Sequence, residues 1–201
     1  MANLRRWQLV ACTILLSGAV LGGVLLCSRF GVQRPGGSAM NGSRFPVDHV
    51  RLATDKPFEE VAKAFERQLG RFDPDVYKSL AASGDAEGVR AKIEAMAGPS
   101  GFMLFGTNDH GALLRLAGQK RKVVQYVVGN PLFSLQMTQH DIRASLHAPL
   151  RVLLYEDERG RTCLEYDKPS SLFGQFNDDR IAPVASMLDR KREDLVATAI
   201  R

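Results

Sequence analysis

Between Gly118 and Asp167 the chain reads GQKRKVVQYVVGNPLFSLQMTQHDIRASLHAPLRVLLYEDERGRTCLEYD, and its breakers leave the fold little freedom. Pro131 and Pro149 fit neither a helix interior nor a central strand, so each marks a boundary. The β-branched run Val123–Val128 reads as a strand, and Asn130-Pro131 then opens a helix. Leu132, Leu135, Met137 and Ile142 supply that helix with an imperfect apolar face. After Ala148-Pro149, Leu150–Tyr155 alternates as a strand, Glu156–Gly160 turns, and Arg161–Asp167 returns antiparallel. A sheet built from such neighbours is mainly antiparallel.

The flanking sequence extends this pattern. Val47–Thr54 reads as a first strand, and Pro57 opens a helix whose stripe is Phe58, Val61, Phe65 and Leu69. Asp75–Ala82 and Asp85–Met96 read as two short helices inserted around residues 73–97. Phe102–Gly106 reads as a strand with Ala112–Leu116 as its hairpin partner, and Lys168–Phe176 as irregular chain. A last helix starts near Arg180, since Pro183 suits only a first turn, and Ile181, Val184, Ala185, Leu188, Leu195 and Ala199 form its inner stripe. The expected class is α+β: a mostly antiparallel sheet of five to six strands with helices packed on one face, preceded by one N-terminal hydrophobic helix.

That leading helix would be Trp7–Cys27, a stretch of 21 residues without a formal charge behind Arg5 and Arg6. It is long enough to cross a bilayer core. Residues 1–27 are therefore read as an uncleaved anchor, with a cleaved signal peptide, Ser17-Gly18-Ala19 marking the cut, as the alternative. Residues 28–43, rich in Gly, Ser and Pro, read as a flexible tether, and the folded domain spans 44–201. The slight excess of positive charge ahead of the span favours a domain outside the cytoplasm, on a single-pass anchor in a bacterial-type inner membrane, with the opposite orientation as the alternative. Cleavage would instead release it to the periplasm.

The leader also accounts for most of the net charge of +5, because Arg5, Arg6, Arg29 and Arg34 precede residue 44 and no acid does. The remaining domain is nearly neutral, which removes the basic face a nucleic-acid partner requires. Cys12 and Cys27 lie in the leader, so Cys163 stands alone in the domain and reads as a small core residue. No phosphate loop, no His-Glu-x-x-His pair and no Cys-x-x-Cys pair occurs, and no metal or cofactor is implied.

Several motifs recur in a familiar order: Phe105-Gly106-Thr107-x-Asp109-His110, Gly129-Asn130-Pro131, Ala148-Pro149-Leu150-Arg151-Val152-x-x-Tyr155-Glu156, and Tyr166-Asp167-x-Pro169-Ser170-Ser171. Together they resemble the family catalogued as domain of unknown function 302, over roughly residues 47–199. The resemblance implies a small α+β domain, a homodimer, and no established activity. Where many members carry a cysteine after the proline opening the penultimate strand, this chain has Leu150, which removes a thiol or soft-metal role there.

Candidate ligand-binding residues are His110, Gln119, Asn130, Arg151 and Tyr155; none is assigned a catalytic role. Arg151 lies between Leu150 and Val152, so it points to the opposite face of its strand. There it would grip a carboxylate or phosphate, or pair across strands with Glu165. Tyr126, Tyr155 and Tyr166 would floor that face. The leading functional reading is a membrane-tethered, non-enzymatic module binding a small ligand or protein partner. The alternatives are a structural dimerisation domain and an enzyme using Asp109 and His110, which requires both to share a cleft with Arg151 or Gln119.

Overall fold

The computed structural model describes residues 42–201, and Ser43–Arg201 form one unit. The expected anchor and nearly all of the tether lie outside the described residues. Among those described, no helix is long and apolar enough to cross a membrane.

In chain order the elements are β1 (His49–Thr54), α1 (Phe58–Glu66), β2 (Gly70–Arg71), α2 (Pro74–Ser83), α3 (Ala86–Ala95) and β3 (Met103–Asp109). Then come α4 (His110–Leu114), β4 (Val123–Gly129), α5 (Pro131–Thr138), β5 (Leu150–Glu156), β6 (Thr162–Asp167), α6 (Pro169–Gly174) and α7 (Ala182–Ile200). The strands form one six-stranded sheet ordered β1-β6-β5-β4-β3-β2. Every neighbouring pair is antiparallel except β2 and β3, which run parallel, so the sheet is mixed.

Alternation along the strands sets the core. Tyr126 and Val128 on β4, Leu150, Val152 and Leu154 on β5, and Leu164 and Tyr166 on β6 are buried against helices. Phe58, Val61 and Phe65 of α1 meet them, as do Ala185, Leu188, Leu195, Val196 and Ala199 of α7. Burying each large apolar side chain stabilises the fold by about 1.5–3 kcal/mol over leaving it exposed. The stripes read for both helices therefore hold, except that α1 ends at Glu66, before Leu69. Proline in the first turn starts α5, α6 and α7, where its missing N–H costs no helical hydrogen bond.

Four expectations need correction. Helices do not pack on one face alone: Val89 and Ile93 of α3 bury Met103, which alternates with Leu104 and so faces away from the main core. Ala112–Leu116 is not a strand; the Asp109 carboxylate accepts a hydrogen bond from the Ala112 N–H at 2.9 Å and starts α4, so β4 pairs with β3 instead. The leucines that suggested a strand point outward, Leu113 61% and Leu116 88% exposed. Lys168–Phe176 contains α6, anchored by buried Pro169 and Phe173. Finally, Ile142 is 80% exposed on a 3₁₀ helix, and only Met137 of the four residues read as the inner face of α5 is fully buried.

Candidate functional site

Three strand ends meet where β3 begins, β4 stops and β5 starts, and α5 lies across them. Asn130 fixes this corner. Its side-chain oxygen accepts from the Leu132 N–H at 2.8 Å, and its amide nitrogen donates to the Gly101 carbonyl at 2.8 Å. The first bond caps α5; the second ties the cap to the loop before β3. Under α5 the chain leaves a cavity of about 210 Å³. Phe102, Phe133, Met137, Leu150, Phe173 and Leu188 give it apolar walls, and Asn130, Ser134 and the backbone of Gly129 border it. Phe105 closes one side, stacked on Phe72 with ring centroids 4.1 Å apart.

One strand further along the same sheet end is a narrow polar cleft of about 20 Å³, lined by His147, Arg151, Asp167 and Arg192 among others. The cavity and the cleft share Pro149 and Leu150 as a wall. Burial first, and then the Arg151 charge, holds the His147 imidazole below its ordinary value of 6.5. Gln175 Nε2 lies 2.7 Å from both His147 Nε2 and the Leu172 carbonyl oxygen. An amide nitrogen is the donor in both contacts, so the neutral ring carries its proton on Nδ1.

The sheet face turned away from α1 and α7 carries a different set of groups. Arg51 Nε meets Glu165 at 3.0 Å, Arg161 meets Asp157 at 2.9 Å, and Arg121 meets Glu158 at 3.6 Å. Tyr155 donates its hydroxyl to Glu165. These residues line a broad cleft of about 500 Å³. For the Asp157 carboxylate, burial acts upward, but hydrogen bonds from the Arg161 backbone and guanidinium and the Arg159 backbone outweigh it, leaving it at about 2. Burial and the bond to Glu165 push the Tyr155 phenol well up. Charges on this face largely satisfy one another. His49 lies between two carboxylates, Nδ1 on Asp167 at 2.8 Å and Nε2 on Glu165 at 3.3 Å. Because the ring separates them, the acids do not converge on a common point, and among the described residues no three such groups could hold a metal ion.

The structure disperses the residues singled out by sequence. Asn130 borders the cavity, Arg151 the narrow cleft, and Tyr155 the broad cleft. His110 starts α4, and Gln119 follows the short helical turn after it, near the opposite end of β4 from Asn130. Asp109 pairs with Val124, six residues before Asn130, a separation of about 20 Å along the strand. Asp109 and His110 therefore share no cleft with Arg151; Gln119, the other residue the enzyme alternative allowed, lies at their own end of β4. Arg151 does project from the face opposite Leu150, but Glu165 pairs with Arg51 rather than with it. The tyrosines split as well: Tyr126 and Tyr166 lie under the helices, and only Tyr155 faces outward. Tyr126 instead donates to Glu66 at 2.7 Å.

Sequence reasoning missed Arg192, which is 1% exposed. It falls on the α7 stripe, four residues after Leu188 and three before Leu195, where an apolar residue is expected. A charged residue on an apolar stripe was the available signal.

The family described as "Domain of unknown function DUF302" matches over residues 78–199, which leaves β1, α1 and β2 ahead of the matched region. A crystal structure of a conserved DUF302 protein from Bacillus stearothermophilus superposes with a TM-score of 0.53 at 16% identity. The alignment covers 76% of this chain and 98% of that one, and it shows a shared fold. No curated protein matches the sequence.

Proposed function

We propose that this chain, which belongs to the DUF302 family, is a non-enzymatic binding module that takes a small, mainly apolar ligand in the cavity at the end of its sheet. The cavity itself carries the proposal: about 210 Å³ enclosed by aromatic and aliphatic side chains, with few polar groups at its border. Apolar space of this order holds ligands of roughly one aromatic ring. Asn130 already spends its amide on the chain, so its role is to hold the corner in shape rather than to grip the ligand. The broad cleft on the other face is a weaker candidate, because its charges are paired among themselves. The uncharged run Trp7–Cys27 supports a membrane tether for the module.

The test is a melting curve of the full chain with 3-phenylpropanol, a neutral probe with one ring. Binding raises the melting midpoint in a dose-dependent way. Ser134→Phe, which fills the cavity from its border, abolishes the shift. A midpoint that does not respond, or responds equally in Ser134→Phe, contradicts the proposal.

A further inference from the structure

Arg192 is the most deeply buried charge among the described residues, and its surroundings do not account for it. One guanidinium nitrogen donates to the Asp167 backbone carbonyl at 3.1 Å, and the group lies over the Tyr166 ring at 5.1 Å from its centroid. Nε and the other terminal nitrogen are buried with no hydrogen-bond partner among the described residues. No carboxylate lies within ion-pair distance there; Asp189, three residues earlier, accepts instead from the Ser170 N–H at 2.9 Å. A buried cation with unpaired donors is costly, and an apolar side chain on the α7 stripe would avoid the cost. Burial accordingly pulls the Arg192 guanidinium down to about 10.

Arg192 lines the narrow cleft together with Arg151 and His147. His147 is held toward its neutral form, so the residues lining the cleft carry two arginines against one acid, Asp167. That carboxylate is already engaged by His49 at 2.8 Å. The cleft adjoins the apolar cavity through Pro149 and Leu150, and α7 serves both: Leu188 lines the cavity, and Arg192, one turn later, lines the cleft. Its volume of about 20 Å³ admits a small head group such as a carboxylate.

We propose that this cleft is the head-group end of the ligand site, receiving the carboxylate of an amphipathic organic acid whose apolar body fills the neighbouring cavity. The assignment rests on the cavity being a binding site. It gives Arg192 the anionic partner it lacks within the protein, and it gives Arg151, which makes no ion pair among the described residues, a charge to meet. A carboxylate held by charge-assisted hydrogen bonds from two arginines binds about tenfold or more tighter than a neutral group of the same shape.

Equilibrium dialysis of the full chain against 3-phenylpropanoate and 3-phenylpropanol, with a detergent blank, separates the outcomes. The acid is expected to bind about tenfold or more tighter than the alcohol. Arg192→Met removes that preference while the alcohol still binds. Arg151→Gln, at an exposed position, lowers the preference and decides the matter if Arg192→Met fails to fold. Equal affinity of wild type for the two probes means that water satisfies Arg192 and overturns the head-group assignment alone. A preference that survives Arg151→Gln places the carboxylate elsewhere and also overturns it. If neither probe binds, the cavity reading itself fails and the assignment falls with it.

Discussion

Two histidines set opposite pH trends on this domain. His147 is held below its ordinary value of 6.5 by burial and by Arg151, so the fold favours the neutral ring. Its contribution to stability is complete above 6.5 and is lost as pH falls through the lowered value. His49 is held above 6.5, mainly by its hydrogen bond to Asp167, against a smaller effect of desolvation and with further help from Glu165. Its contribution is complete below 6.5 and is lost as pH rises through the raised value. Between pH 8 and pH 5.5, urea midpoints should therefore fall less for His147→Gln than for wild type, and more for His49→Gln. Parallel pH profiles for all three proteins would contradict both assignments. Tyr126→Phe should cost about 0.5–1.5 kcal/mol through the lost bond to Glu66, read from the same urea curves. Single residues were partly legible in the sequence. The outward aim of Arg151 follows from alternation, whereas the burial of Arg192 and the pairing of Glu165 with Arg51 depend on which elements become neighbours.

At the scale of elements, strands β4, β5 and β6 and helices α1 and α7 were readable because each combines a long period with a clear breaker. Among the short elements, α2 and α3 were read but α4 and α6 were not. In Ala112–Leu116 an apolar alternation competes with the helix-starting carboxylate of Asp109, and the cap wins because it satisfies an otherwise unpaired N–H. Asp109→Ala should release that end of α4 at a cost of about 1 kcal/mol, detectable by denaturant titration. A tighter constraint joins β2 to the turn after α3. A Cβ on Gly70 would lie 1.7 Å from the Met96 carbonyl oxygen and 2.6 Å from the Gly98 nitrogen, and the Gly70 and Gly98 N–H groups both donate to the Phe102 carbonyl. Backbone cannot yield there as a side-chain tip would. Gly70→Ala should thus destabilise by about 1–3 kcal/mol or more, and an unchanged urea midpoint would refute the close packing.

Over the described residues, the sheet separates a polar face of paired charges from an apolar corner that holds the cavity of about 210 Å³. Its walls come from β3, β4, β5, α5, α6 and α7, so no local spacing announces them. The class, the mostly antiparallel pairing and the family were legible; the cavity appears only once strands distant in sequence are side by side. The proposed tether makes a separate prediction: full chain should remain in the membrane pellet after a carbonate wash, while residues 44–201 expressed alone should be soluble, and a soluble full chain would refute anchoring by residues 7–27. The most direct measurement of the central claim is a methyl-detected NMR titration of the full chain with 3-phenylpropanoate. The methyls of Met137, Leu150 and Leu188, which line the cavity, should shift together along one saturation curve, while those of Val50 and Leu52 near the far edge stay still. Shifts confined to residues outside the cavity, or none up to saturation of the solvent, would contradict it.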